Sequence, residues 1–97
     1  MEVFDHALNQ LERSMTISTK RQAIIAQNIA NVKTPGYEAM EFDEQLMKAV
    51  KRREKKDIIL EDELSDLTDN SVKYSSYVRL MSSKIAILKS IASQGRK

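Results

Sequence analysis

The sequence predicts an all-α protein. Two long helices, over about residues 5–31 and 60–93, form a helical hairpin or an intermolecular coiled-coil bundle, joined by a long, partly disordered connection. Three observations carry this. Two stretches place apolar residues in alternating steps of four and three, the spacing of a helix-packing seam. The turn-forming residues are concentrated between them, where the single Pro stands next to one of the two Gly, as Pro35-Gly36. Aromatic residues make up 5% of the chain, charged residues 31%, and Trp is absent. That composition suits long exposed helices better than a thick globular core. The 97 residues make one domain, divided into a first helix at 5–31, a turn and flexible connection at 32–56, and a second helix at 57–97. Two helices bury a modest share of their surface, so neighbours are expected to complete the core.

The first seam runs through Phe4, Leu8, Leu11 and Met15, then Ser18 and Gln22, then Ile25, Ile29 and Val32. Asp5 suits the N-cap, because its carboxylate can accept a bond from a free N–H of the first turn. A helix of about 27 residues would be roughly 40 Å long. Ser18 and Gln22 interrupt the seam. Either this part of the helix lies near solvent, or the two polar residues fix register or partner choice. Ile17, Ala23, Ile24, Ala26 and Ala30 widen the apolar stripe, which suggests more than one neighbouring helix.

The helix ends in punctuation. Asn31 tolerates the left-handed conformation that terminates helices. Pro35 cannot continue a helix and biases Thr34 toward extended angles. Pro35-Gly36 fits the two central positions of a type II turn, with Gly36 supplying the positive φ. From Lys33 to Lys56 no pattern is sustained. Phe42, Leu46 and Val50 would share a face of a short amphipathic helix, with Asp43 and Glu44 favouring its N-terminal end. A connection of about 24 residues is far longer than usual between paired helices, so it is functional or disordered until a partner arrives. Tyr37, Met40 and Phe42 then lack a burial site within the chain and point toward docking on another.

The second seam is the stronger. Leu60, Leu64, Leu67, Ser71, Tyr74, Val78, Met81, Ile85, Leu88 and Ala92 follow one another without a break. Glu61, Asp62, Glu63 and Asp66 sit at the positive end of the helix dipole, and Lys84, Lys89, Arg96 and Lys97 toward the negative end. Gly95 marks the stop. Tyr77, Ile87 and Ile91 form a second apolar flank. About 35 residues span roughly 52 Å, so the excess over the first helix has no internal partner.

Catalytic chemistry finds no footing. His6 is the single histidine, so neither a nucleophile triad nor a multi-histidine metal site can be assembled within one chain. The acidic group at Glu61–Asp66 lacks calcium-loop spacing and reads as the first turns of a helix. Two distant glycines cannot cradle a phosphate. No enzymatic activity, metal or cofactor is expected. The absence of Cys removes disulfides and thiolate ligands. No apolar run approaches the roughly 20 residues of a membrane span, and the N-terminus shows no cleavable secretory signal. Lys51 to Lys56 ahead of leucine heptads suggests a basic zipper. A basic region must cover several helical turns, however, and here six residues run straight into Glu61-Asp62-Glu63. A nucleic-acid partner is not expected, and the net charge of +2 is too small to demand one or a membrane surface.

Asn28-Ile29-Ala30-Asn31 followed, two residues on, by Thr34-Pro35-Gly36-Tyr37 resembles the signature of the bacterial flagellar basal-body rod and hook family. In that family an N-terminal helix ends in Asn-Ile/Leu-Ala-Asn and a Thr-Pro-Gly-Tyr turn. Leu64 through Ile91, with Asn70, Tyr74 and Tyr77, is similar to the C-terminal helix of the family's proximal-rod members. The short length, without a large outer domain, agrees with that branch. Gln27 stands where Ser or Asn is frequent, Lys33 where Asn or Asp is frequent, and the middle segment is shorter than the family's. The resemblance implies a structural, non-enzymatic subunit that self-assembles through its terminal helices into the torque-transmitting proximal shaft around the export channel. Its implied partners are copies of itself, other rod subunits, a rotor-side adaptor and the type III export apparatus. Its implied location is the periplasmic rod of the basal body, reached by export without a cleavable signal. Phe4, Leu8, Leu11, Met15, Ile25 and Ile29 of the first helix, with Leu60, Leu64, Leu67, Tyr74, Val78, Met81, Ile85 and Leu88 of the second, would carry assembly. A soluble coiled-coil adaptor or export chaperone shares the heptads but gives no reason for the paired motifs.

Overall fold

The computed structural model describes residues 2–95. The chain runs α1 (Glu2–Ala30), β1 (Met40–Asp43), β2 (Lys48–Lys51) and α2 (Leu60–Gln94). The helices lie antiparallel in a rod of 66 × 24 × 16 Å. Three contacts set the register: Ser18 meets Asn70, Gln22 meets Ser71, and Lys84 Nζ sits 5.5 Å from the centroid of the Phe4 ring.

Both helices form where the seams place them. α1 is already helical at Glu2, so Asp5 lies inside the first turn instead of capping it; Glu2 and Asp5 together face the positive end of the dipole. α2 starts after Ile59, which is extended and offers no side-chain cap. Glu61, Asp62 and Glu63 fill its first turn, and the helix ends at Gly95, whose N–H reaches Ile91 O. Gly95 keeps right-handed angles, so it stops the helix without a left-handed residue. Its last turn holds no basic residue, and Arg96 and Lys97 lie outside the described residues.

The connection departs from expectation. Phe42–Val50 is neither helical nor unstructured: β1 and β2 pair antiparallel, from Met40 opposite Lys51 to Asp43 opposite Lys48. Local chemistry at Asp43 decides the outcome. Its Oδ1 accepts the N–H groups of Gln45 and Leu46, both at 2.9 Å. Those bonds make a side-chain turn that competes with helix. Met47 completes the reversal at φ 54°, outside helical space. Met40-Glu41-Phe42-Asp43 also alternates as a strand does. The ladder continues one step, with Arg52 N–H donating to Ala39 O at 2.8 Å.

The packing between helices is unusual in what it buries. The buried apolar side chains are Leu11, Ile17, Ile24 and Ala39, and they are matched by buried Ser18, Asn28, Glu63 and Asn70. The buried residues of α2 are Glu63 and Asn70, both polar. Ser18 and Gln22, the interruptions of the first seam, belong to a polar layer and not to solvent. Ser18 Oγ donates to Asn70 Oδ1 at 3.2 Å, and Asn70 Nδ2 donates to Ser18 O at 2.7 Å and to Gln22 Oε1 at 3.0 Å. Such a layer satisfies its own members at only one register of the two helices.

Candidate assembly interface

The corner at the end of α1 is built one residue at a time. Asn31 N–H shares the carbonyls of Gln27 and Asn28, and Asn31 O then accepts from Thr34 N–H at 3.0 Å, which closes off the helix. Its side chain donates to Gln27 O at 2.8 Å and accepts from Thr34 Oγ1 at 3.1 Å. Thr34 O accepts from Tyr37 N–H at 3.2 Å, and Gly36 stands at φ 79°. These are the features of a type II turn with Pro35 and Gly36 at its centre. A Cβ on Gly36 would meet nothing within 4 Å, so glycine is needed there for its φ and not for space.

Asn28 does something its sequence position does not announce. It is 0% exposed. Its Nδ2 donates to Met40 O at 2.9 Å while its Oδ1 accepts Met40 N–H at 3.0 Å. The amide therefore pairs with the first residue of β1 as a neighbouring strand would, and ties the hairpin to α1. Tyr37 OH adds a bond to the same Oδ1 at 3.4 Å. Tyr37, Met40 and Phe42 are thus half-buried against their own chain, contrary to the expectation that they lack a site within it. Leu46, at the tip of the hairpin, is an exposed large apolar residue.

Charge pairs hold the hairpin. Arg52 Nη1 lies 2.8 Å from Glu63 Oε1, joining the end of β2 to the start of α2. Arg53 pairs with Asp43 at 2.8 Å, Lys51 with Glu38 at 2.8 Å, and Arg21 with Glu44. The Leu46 N–H and the Arg53 guanidinium hold the Asp43 carboxyl below its ordinary range. The hydrogen bond and charge of Lys51 lower Glu38, and Glu38 in turn raises Lys51. Nothing in the sequence marked the Arg52–Glu63 pair, because Glu63 stands among acids that suit a helix start anyway. The alternation at Met40–Asp43 was the available sign of β1.

The seam residues divide into two groups. Phe4, Leu8, Met15, Ile25 and Ile29 on α1, and Leu67, Met81 and Leu88 on α2, are half-buried, with Leu11 buried among them. Leu60, Leu64, Tyr74, Val78 and Ile85 are exposed and form a flank beside the intrachain contact. Leu80, Ile87 and Ile91 are exposed on the other side. From 3.6 residues per turn, the two flanks stand roughly a quarter turn to either side of the face that meets α1. In the corner motif Asn28 is buried, Ile29, Asn31 and Tyr37 are half-buried, and Ala30, Thr34, Pro35 and Gly36 are exposed.

Among the described residues no group of three or more His, Cys, Asp or Glu is placed to hold a metal ion. No described helix is long and apolar enough to cross a membrane. What the surface offers is area: two apolar flanks on one helix and a hairpin fixed beside them. Residues 8–37, which take in most of α1 and the whole corner, match the family described as flagella basal body rod protein. No curated protein matches the chain.

Proposed function

We infer that this chain, a flagellar basal body rod family protein by its residues 8–37, is a structural subunit that self-assembles through its two helices into the proximal, torque-transmitting shaft around the export channel. One observation supports this above the rest. α2 buries only Glu63 and Asn70 within the chain, while Leu60, Leu64, Val78, Ile85, Leu80, Ile87 and Ile91 stay exposed. Covering a Leu, Ile or Val side chain contributes about 1.5–3 kcal/mol when burial is complete. Seven half-exposed side chains on two flanks keep about half of that driving force unspent in the free chain, enough to order copies around one another. Different flanks meeting different neighbours are heterologous contacts, which extend a structure instead of closing it.

Copies of the chain and other rod subunits would occupy the flanks, with a rotor-side adaptor at the base. Transit through the type III export apparatus without signal cleavage suits a narrow helical chain whose own helices are held together by polar contacts. A cytoplasmic adaptor or export chaperone would also use exposed flanks, but would leave the Asn28–Tyr37 corner without a role.

The test uses Val78→Glu and Ile85→Glu, because both side chains are exposed and the fold does not depend on them. Leu67, Met81 and Leu88 are less suitable, since each is half-buried. The parent chain should be found in purified basal bodies, and the double variant should keep its helicity by circular dichroism yet be absent from them, with motility lost. Normal motility in the double variant, or a parent chain confined to the cytosol, would overturn the assignment.

A further inference from the structure

The two ends of the molecule differ. The register set by Ser18–Asn70 and Phe4–Lys84 puts Glu2 beside Ala86. α2 continues to Gln94, so about two turns run past the start of α1 with no helix beside them. In this overhang, among the described residues, Lys89 is the one charged side chain. It shares a face with Ile85 and Ala92, by the three- and four-residue spacing of helix neighbours.

At the opposite end a cleft of about 810 Å³ opens between β1, the segment after β2 and the start of α2. Ile24, Ile25, Met40 and Phe42 form its apolar wall, and Asp62 and Asp66 stand at its edge. Acidic groups outnumber basic ones around it. Of the basic groups, Arg21 and Arg52 are already paired, with Glu44 and Glu63, while Lys55 and Lys56 lie on the loop side. Glu63 borders the cleft and is 2% exposed. Its Oε1 takes Arg52, but its buried Oε2 has no hydrogen-bond partner. A buried carboxylate oxygen without a donor is costly, and a second cation would relieve it.

We propose that this cleft receives the overhanging end of α2 from a second copy of the chain, with Lys89 supplying the missing donor to Glu63 Oε2 and Ile85, at the root of that end, lying toward the apolar wall. The proposal deepens the rod-subunit reading and rests on it. The charges are complementary, a cationic tail against an acid-rich cleft, and each copy carries one of each. The tail and the cleft are different surfaces at opposite ends, so with the copies laid in one direction the contact is heterologous and repeats instead of closing. Copies add end to end.

The chain has no cysteine, which makes introduced thiols unambiguous. A chain carrying both Asp62→Cys and Lys89→Cys should give a ladder of covalent multimers under mild oxidation, because each copy donates a tail and offers a cleft. Ser76→Cys with Lys89→Cys, which moves the first thiol to the middle of α2, should give no such ladder. In sedimentation of the full-length chain, Lys89→Glu should weaken self-association about tenfold, since like charges would face each other across the contact. A ladder no stronger than the control, products that stop at dimer, or unchanged association of Lys89→Glu would overturn the proposal. Its failure is separable from failure of the rod reading. A chain found in basal bodies without the 62–89 ladder loses this contact alone, whereas a ladder from a chain confined to the cytosol keeps the contact and removes the rod.

Discussion

Asn28 shows how much one amide can organise. Its side chain satisfies both backbone groups of Met40, because a primary amide offers a donor and an acceptor side by side. Asn28→Ala should destabilise the chain by about 2–3 kcal/mol, because it leaves Met40 N–H and C=O without partners in a buried place. Asn28→Asp keeps the acceptor but turns a carboxylate oxygen toward Met40 O, so it should recover little. Denaturant unfolding measures the loss, and amide exchange at Met40 locates it: exchange there should quicken well before exchange in mid-α1. Pro35 and Gly36 were legible in the sequence because each acts on its own backbone through a preference carried by its residue type. Asn31 ends the helix without the left-handed angles expected of it, through the bonds of its side chain to Gln27 O and Thr34 Oγ1. The job of Asn28 was hidden because its partner lies 12 residues away, in an element with no clear pattern of its own.

At the scale of elements, both helices were legible and the hairpin was not. Ten seam residues in α2 outvote any local accident, whereas Phe42–Val50 spans nine positions that suit helix and strand about equally. Three residues settle it: Asp43 by binding the turn, Met47 by its positive φ, and Asn28 by docking the first strand. The face of α2 was also only partly legible. Leu67, Met81 and Leu88 are half-buried, but Glu63 and Asn70 take the deepest places, which apolar periodicity cannot foresee. The charge pairs make the hairpin sensitive to pH from both sides. Asp43 is depressed by the Leu46 N–H and Arg53, so its contribution is present above its ordinary value of 3.8 and lost as pH falls through the lower bound value. Lys51 is raised by Glu38, so its contribution is present below 10.5 and lost as pH climbs through the raised value. Lys51, Glu38 and Arg53 are exposed, so solvent screens both pairs and the effects are small. Backbone amide signals of residues 40–51 should broaden below about pH 4 while far-ultraviolet helicity holds; simultaneous loss of both would show that the hairpin and helices unfold as one.

At the scale of the molecule, polar contacts hold the helices in register and apolar side chains line the outside. Asn70→Ala should cost about 2–3 kcal/mol in urea unfolding, because it removes the buried amide that bonds Ser18 O, Gln22 Oε1 and Ser18 Oγ and leaves a gap in its place. Replacing the layer as a whole, with Ser18→Ala, Gln22→Leu and Asn70→Leu together, should recover most of that loss, since no polar group is left without a partner. A triple variant weaker than Asn70→Ala alone would show the layer to be a net source of stability. The same arrangement bears on how the sequence can drift. In an ordinary helical protein the outward positions accept most replacements and the inward ones few. On the proposed rod-subunit reading the outward Val78, Ile85, Ile87 and Ile91 answer to neighbours, while the inward sites admit Ser, Asn and Glu. A map of substitution tolerance for this chain, read in the usual way as a map of burial, would draw α2 rotated about its own axis.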